Sequence, residues 1–435
     1  MTSALTNTKT RICVFPAGTE IGLEIYRALH NIKIVELIGI NSIYDSSYLL
    51  YPKYIKVSFD INSVDLVEQL ADFCKKYHID ILIPAHDEVI FQLASKQYLF
   101  NNSTLFIPPA ETCDILRFKS KTYNHFKDFI SVPKQFSEES LPTLTNKIFL
   151  KPDNGQGSKG IILCNNGNEA IQYIHLNSSL IATEFLPGDE YTIDCYTNKN
   201  GKLLCAIARK RSKVANGIAV ISEIVSSIEN QKFIDMAHTI NKHIHLWGVW
   251  FFQVKKDMCG KITLMEIANR VPGSYSLSRS QGINGLEIQL YEALGQNITA
   301  LPKLPYNGTL YRYLTCQVLL DLSFTCIYVD FDDTIIQSDK VNHLLIAQLY
   351  RWRSKNYQII LLTRHKGNLK QSLSKHGLTS LFHQIYHILT GQPKSDFIIH
   401  LDAIFIDDSF KERIEVANRR QIPCFSPESA ILIAD

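Results

Sequence analysis

Short apolar runs alternate along this chain with stretches in which apolar residues recur every three or four positions. In "RICVFPAGTEIGLEIYRALH", residues 12–15 are continuously apolar, and Pro16 and Gly18 then mark a turn. Ile21, Leu23, Ile25, Tyr26 and Leu29 follow with the spacing of an amphipathic helix. Strand, turn and helix return in "IKIVELIGINS" and "HIDILIPAHDEVIFQLA", which predicts a parallel sheet with helices on its faces. Further on the rhythm changes. β-rich runs at 148–150 and 161–164 flank a Gly- and Ser-rich loop, and runs at 249–254 and 262–267 flank the turn "KDMCGK", as in antiparallel hairpins. Pro302, Pro305, Asn307 and Gly308 mark a connector. Strand and helix then alternate again through "TCIYVDFDDTII", "HLLIAQLYRWRSK", "YQIILLTRH" and "DAIFIDDSFKER". The expected class is α/β: a Rossmann-like domain over 1–108, an α+β domain over 109–305, a connector over 306–323 and a parallel-sheet domain over 324–435.

A chain of 435 residues exceeds one compact core, which agrees with several domains. The formal net charge of +3 gives no reason to expect nucleic acid or an anionic membrane as partner. No 18-residue apolar run occurs, and "MTSALTNTKTR" has no apolar core of a secretory signal, so a cytoplasmic protein is expected. The 10 cysteines contain no C-x-x-C pair and read as thiols of a reducing compartment.

Gly18-x-x-x-Gly22 lacks the G-x-G-x-x-G pattern, so no nicotinamide or flavin site is expected at the first turn. His86, Asp87 and Glu88, at a strand end, are candidates for a small-molecule site. In "KIFLKPDNGQGSKG", Gly155, Gly157 and Gly160 let the backbone fold over a ligand, Ser158 adds a hydroxyl and Lys151 a positive charge, a set suited to polyphosphate. It is no P-loop, since no G-K-[ST] leads into a helix. In "LIATEFLPGDEY", the backbone from Glu184 to Leu186 offers a donor and an acceptor to an adenine edge, with Glu190 as partner for ribose hydroxyls. Gln253, Glu266 and Asn269 gather hard oxygen ligands for Mg²⁺ at one strand end, and Arg270 faces a phosphate or acyl phosphate. Arg209 and Arg211 share a strand face and either bind an acidic substrate or γ-phosphate or form a solvated basic face.

These three motifs, in this order and spacing over about residues 10–300, resemble the ATP-grasp superfamily, closest to its carbamoyl-phosphate-synthase-like and carboxylate–amine ligase branch. The resemblance implies ATP with Mg²⁺ (or Mn²⁺ in its place), a carboxylate activated as an acyl phosphate, and attack on it by an amine or similar nucleophile. It implies that Lys151 and either Lys119 or Lys121 contact nucleotide phosphates. Ala268 stands where many relatives carry the metal-binding asparagine, and Gln253 where a carboxylate is usual. No A-M-K-M-like site appears, so biotin-dependent carboxylation is not expected.

The tail poses a different question, because "IYVDFDDTII" ends an apolar strand in three carboxylates. In a parallel sheet, strand ends lie side by side, so Asp330, Thr363 and Asp407 would meet at one rim. Four ordered motifs resemble the haloacid-dehalogenase (HAD) phosphatase superfamily: Asp330, Asp332 and Thr334; Thr363; Lys394, with Lys366 as an alternative; and Asp407 with Asp408. The resemblance implies a minimal cap and a phosphoester substrate. Asp330 would be the nucleophile, Asp332 the acid and base, and Thr363 and Lys394 the phosphoryl holders. Asp330, Asp332, Asp407 and Asp408 would form the magnesium set. The expected whole is a bifunctional enzyme. Its rivals are a phosphatase with a nucleotide-sensing front and a ligase with a docking tail. Oligomeric state is left open, a homodimer included.

Overall fold

The structure is a computed structural model that describes residues 9–155, 157, 159–225, 227–301 and 307–434. The chain divides into two compact units between Tyr313 and Leu314. Among the described residues no helix is long and apolar enough to cross a membrane.

The first unit opens with a five-stranded parallel sheet, ordered Lys53–Lys56, Val35–Asn41, Thr10–Phe15, Ile81–Pro84, Thr104–Leu105. Its three central strands are apolar on both faces because the core packs on both. The first turn is tight. A Cβ on Gly22 would lie 2.3 Å from the Ala17 carbonyl oxygen, and one on Gly18 would strike the Asp45 carboxylate. These glycines serve backbone packing, as the missing fingerprint implied. One face of this sheet shares a core with Tyr196, Val249, Tyr275 and Leu286 from later in the chain, which makes the first 313 residues one unit.

Two antiparallel sheets follow. The smaller runs Gln135–Phe136, Leu180–Glu184, Ile148–Pro152, Ile162–Cys164. The larger runs Ile262–Ala268, Gly248–Lys256, Glu190–Thr197, Leu203–Ala215, Ile218–Ile224, Thr309–Tyr311. The pairing of Gly248–Lys256 with Ile262–Ala268 slips after Gln253: Gln253 opposes Glu266 while Val254 opposes Leu264. Met265 is therefore the extra residue of a bulge, and the slip brings Met265 and Glu266 both to the cleft side.

The expected connector over 306–323 is built into both units. Thr309–Tyr311 forms the edge strand of the six-stranded sheet, and Val318 exchanges hydrogen bonds with Leu432 and Ala434. The second unit is a five-stranded parallel sheet, ordered Gln384–His387, Gln358–Thr363, Cys326–Val329, Ala403–Ile406, Cys424–Phe425. Apolar clusters cover both faces. Between Thr334 and the strand Gln358–Thr363 lie one short hairpin, Ile336–Gln337 with Lys340–Val341, and one helix, His343–Ser354.

Candidate functional site

In the first unit, the smaller and larger antiparallel sheets line one cleft of about 1350 Å³, its open mouth included. Lys151, on the strand Ile148–Pro152, is buried in its wall. Its ammonium donates to the Tyr123 hydroxyl at 2.6 Å, and that hydroxyl donates to the Met265 carbonyl at 2.5 Å. Burial, reinforced by the Lys119 charge, pulls the Lys151 pKa down to about 7 against the pull of Glu266 and Asp153. Lys119 begins the helix Lys119–Phe126 and donates to the Gly155 carbonyl at 2.6 Å. The Asp153 carboxylate takes the Ser120 amide at 2.7 Å and its hydroxyl at 2.6 Å, tying this helix to the root of the glycine loop. Lys121 points elsewhere, to Asp114 at 2.6 Å on the surface, so of the two lysines only Lys119 reaches the cleft. Gly157 has φ +65°, a conformation that suits glycine, and Ser158 lies outside the described residues.

Gln253 and Glu266 stand opposite each other in register across the cleft from Lys151. Asn269 lines a neighbouring cavity together with Glu266 and Lys119, and its buried amide nitrogen has no hydrogen-bond partner. A smaller, largely apolar pocket of about 290 Å³ adjoins the cleft, walled by Pro133, Phe149, Phe185, Leu186 and Met265. Strand pairing stops at Glu184, whose carboxylate accepts the Lys134 amide at 2.8 Å; the carboxylate braces the strand, and the segment through Leu186 edges the pocket.

Five arginines come with carboxylates of their own, which bears on the expectation. Arg270, expected to face a phosphate, holds Asp87 through two hydrogen bonds of 2.5 and 3.0 Å and gives its third nitrogen to the Val271 carbonyl. Burial pushes the Asp87 carboxyl up, but the Arg270 charge and hydrogen bonds more than offset it and hold it below the ordinary carboxylate range. Glu88 pairs with Arg117 at 2.6 Å, and His86 caps the helix Asp87–Ala94. Of the three candidates for a small-molecule site, Asp87 thus ties the parallel-sheet region to Arg270, just past the strand Ile262–Ala268, Glu88 ties it to the helix Ala110–Arg117, and His86 caps its own helix. Arg211 lies 2.9 Å from Glu190, the expected ribose partner, so that carboxylate is already paired. Arg209 is buried against Asp194 at 3.0 Å, and Arg312 pairs with Glu20. Arg209 and Arg211 do share a face on the cleft, yet they form no solvated basic patch.

In the second unit, the C-terminal strand ends converge as a parallel sheet requires. The Lys394 ammonium bridges Asp330 at 2.7 Å and Asp407 at 2.6 Å, all three buried. Carboxylate oxygens of Asp330, Asp407 and Asp408 lie within 4.8 Å of one another. Burial, with the Asp407 charge added, pushes the Asp330 carboxyl up to about 7 against Lys394. Burial also raises Asp407. Burial alone would lower Lys394, but the two carboxylates raise it. Thr334 donates to Asp408 and accepts its amide, and Thr363 is fully buried at its strand end. Lys366 is exposed on the loop, and it is Lys394 that bridges the carboxylates. Asp332 departs from the expected metal set: its carboxylate turns to His365 Nδ1, at 2.9 and 3.0 Å. Sequence reading missed His365 and Tyr123. The only available signal for His365 was its place two residues past Thr363; Tyr123 gave none.

A family model described as "ATP-grasp in the biosynthetic pathway with Ter operon" matches residues 177–314. No curated protein matches the chain. Among solved structures, N5-carboxyaminoimidazole synthetase from Staphylococcus aureus, complexed with ADP, is similar at TM-score 0.60 and 14% identity, over 71% of this chain and 83% of that one. The biotin carboxylase domain of 2-oxoglutarate carboxylase from Hydrogenobacter thermophilus is similar at TM-score 0.59 and 13% identity, over 70% and 74%. L-amino acid ligase from Bacillus licheniformis is similar at TM-score 0.52 and 16% identity, over 67% and 75%. At such identities the likeness is one of fold, an α/β fold of the ATP-grasp-like kind over about 70% of the chain.

Proposed function

We propose that the first unit is an ATP- and Mg²⁺-dependent ligase that activates a carboxylate as an acyl phosphate for attack by an amine or similar nucleophile. One observation carries this reading: Lys119 and Lys151 reach the cleft without any carboxylate partner among the described residues, opposite the paired Gln253 and Glu266. Two cations without counter-anions fit a polyphosphate, the adjoining apolar pocket fits a flat base, and the unpartnered buried amide of Asn269 beside Glu266 fits a site completed by a ligand. When bound, MgATP supplies the phosphoryl group. The protein's part is then to hold phosphates with the two lysines, orient the metal through Glu266, Gln253 and Asn269, and exclude water. The ADP-bound and ligase relatives lend support.

The second unit, in the same proposal, hydrolyses a phosphomonoester. This reading rests on its own geometry, the buried Asp330–Lys394–Asp407 bridge beside Asp408. Three close carboxylates with one ammonium leave negative charge that a divalent cation neutralises, so the donor set fits Mg²⁺. Asp330 attacks phosphorus, Asp332 protonates the departing oxygen and then takes the proton of the attacking water, and Thr363 and Lys394 hold phosphoryl oxygens.

The test is phosphate release by the full chain and by Asp330→Asn, with Mg²⁺, from p-nitrophenyl phosphate and from ATP in a metabolite extract. Loss of ester hydrolysis with retained ATP use supports two separate sites. Ester hydrolysis unchanged in the variant overturns the second reading. Absence of acid-dependent ATP use overturns the first.

A further inference from the structure

Asp332 is half exposed, with side-chain exposure of 50%. A carboxyl group that must meet a departing oxygen cannot be left free to turn. His365 holds it: Nδ1 lies 2.9 and 3.0 Å from the two carboxylate oxygens. The imidazole is itself held on every side. Nε2 is 3.0 Å from the Ser372 hydroxyl, and the edge of Phe331 meets the ring at 5.2 Å. The His365 amide donates to Thr363 Oγ1 at 3.2 Å, and its carbonyl accepts from His387 Nε2 at 2.7 Å. Gly367 makes room for the ring: a Cβ there would stand 2.9 Å from Nε2. Ser372 can donate its hydroxyl proton to Nε2, which places the ring proton on Nδ1, facing Asp332.

We propose that His365 is a positioning residue for the second unit: it anchors the Asp332 carboxyl and, through its own amide, the Thr363 hydroxyl, so that acid and phosphoryl holder are set by one pinned loop. This rests on the phosphatase reading given above. In the first step the Asp330 oxygen bonds to phosphorus as the ester P–O bond breaks, and the Asp332 proton passes to the departing oxygen to give the alcohol. In the second step water bonds to phosphorus and gives a proton to Asp332 as the aspartyl P–O bond breaks, which restores Asp330 and releases phosphate. Nδ1–H of His365 engages one Asp332 oxygen throughout, leaving the other to carry the proton.

The consequence is selective. An aryl ester such as p-nitrophenyl phosphate releases a stable anion and needs little protonation, whereas an alkyl ester such as glycerol 2-phosphate needs the acid. For the full chain with Mg²⁺, His365→Ala is expected to lower kcat/KM, which reports the first step alone, by about 10- to 100-fold on the alkyl ester and by no more than about 3-fold on the aryl ester. His365→Asn, whose amide nitrogen can take the place of Nδ1, should regain most of the loss. Gly367→Ala, which crowds the ring without removing it, should show the same selectivity more weakly. Equal losses on both esters, or an asparagine variant no better than alanine, would show a merely structural histidine and overturn the inference. A wild-type protein that hydrolyses neither ester overturns the phosphatase reading itself, and the inference with it.

Discussion

The cleft of the first unit and the rim of the second handle charge in opposite ways. In the cleft, every arginine that lines the wall has its own carboxylate: Arg209 with Asp194, Arg211 with Glu190, Arg270 with Asp87 and Arg312 with Glu20. Lys119 and Lys151 have none, and one of them is buried deeply enough to approach neutrality. At the rim the imbalance is reversed, since Asp330 and Asp407 share one lysine and Asp408 stands beside them. On the proposed reading, a polyanion would offset the charge of the cleft and a divalent cation that of the rim. Residue counts alone hide this, because the chain as a whole is nearly balanced at +3.

The contrast breaks most sharply at Lys394. Lys394→Met should abolish ester hydrolysis, with a loss of about 10²-fold or more, and leave acid-dependent ATP use intact. It also leaves two buried carboxylates facing each other, so the melting temperature in a chelator should fall, and added Mg²⁺ should restore more of it than in the wild type. A variant equally stable in chelator would mean that the rim is less crowded with charge than its geometry indicates. Lys151→Met should cost about 10²-fold in kcat/KM for ATP, by steady-state kinetics. Here stability moves the other way. With the folded pKa near 7 and the unfolded one near the ordinary 10.5, the unfolded state binds the extra proton between those values. Stability therefore rises with pH across that window, and below it the buried charge is a full burden. At pH 6 the methionine variant should melt a few degrees higher than wild type.

The same residue sharpens the comparison calorimetrically. At pH 8, phosphates beside a largely neutral Lys151 should draw a proton onto it, so nucleotide binding should take up a sizeable fraction of one proton, read from binding heats in buffers of different ionisation enthalpy. Binding heats that do not vary with buffer would place the lysine away from phosphate. The smallest effect belongs to Lys121. Its pair with Asp114 is exposed, so Lys121→Met should change ATP kinetics less than about 2-fold and stability by less than about 0.5 kcal/mol. A large loss would exchange its role with that of Lys119.

Much of this was legible in the chain. Apolar runs of four to six residues ending in Asp330, Thr363 and Asp407 announce parallel strands, because such strands are buried on both faces and expose function only at their tips. The hairpin carrying Gln253 and Glu266 was equally plain from its turn. The partners of charged side chains were not legible. Nothing local links Arg270 to Asp87, 183 positions away, or Lys151 to Tyr123, and pairing at that distance is decided by packing. The direction of the Asp332 side chain was not legible either, because the chain leaves the strand at Val329 and Asp333 takes φ +55°, so the carboxylate meets His365. The edge pairing of Thr309–Tyr311 was not legible for a similar reason, since three residues leave almost no signature.

The lysine held near neutrality at the wall of the cleft has a chemical consequence as well. A neutral amine has a lone pair to give. With its pKa pulled down to about 7, Lys151 offers that lone pair far more readily than a lysine at the ordinary value. An adenosine analogue bearing a sulfonyl fluoride, seated with its base in the apolar pocket, should therefore label this residue ahead of the other lysines in the chain. The labelled peptide would report occupancy of the cleft without any knowledge of the acid it activates.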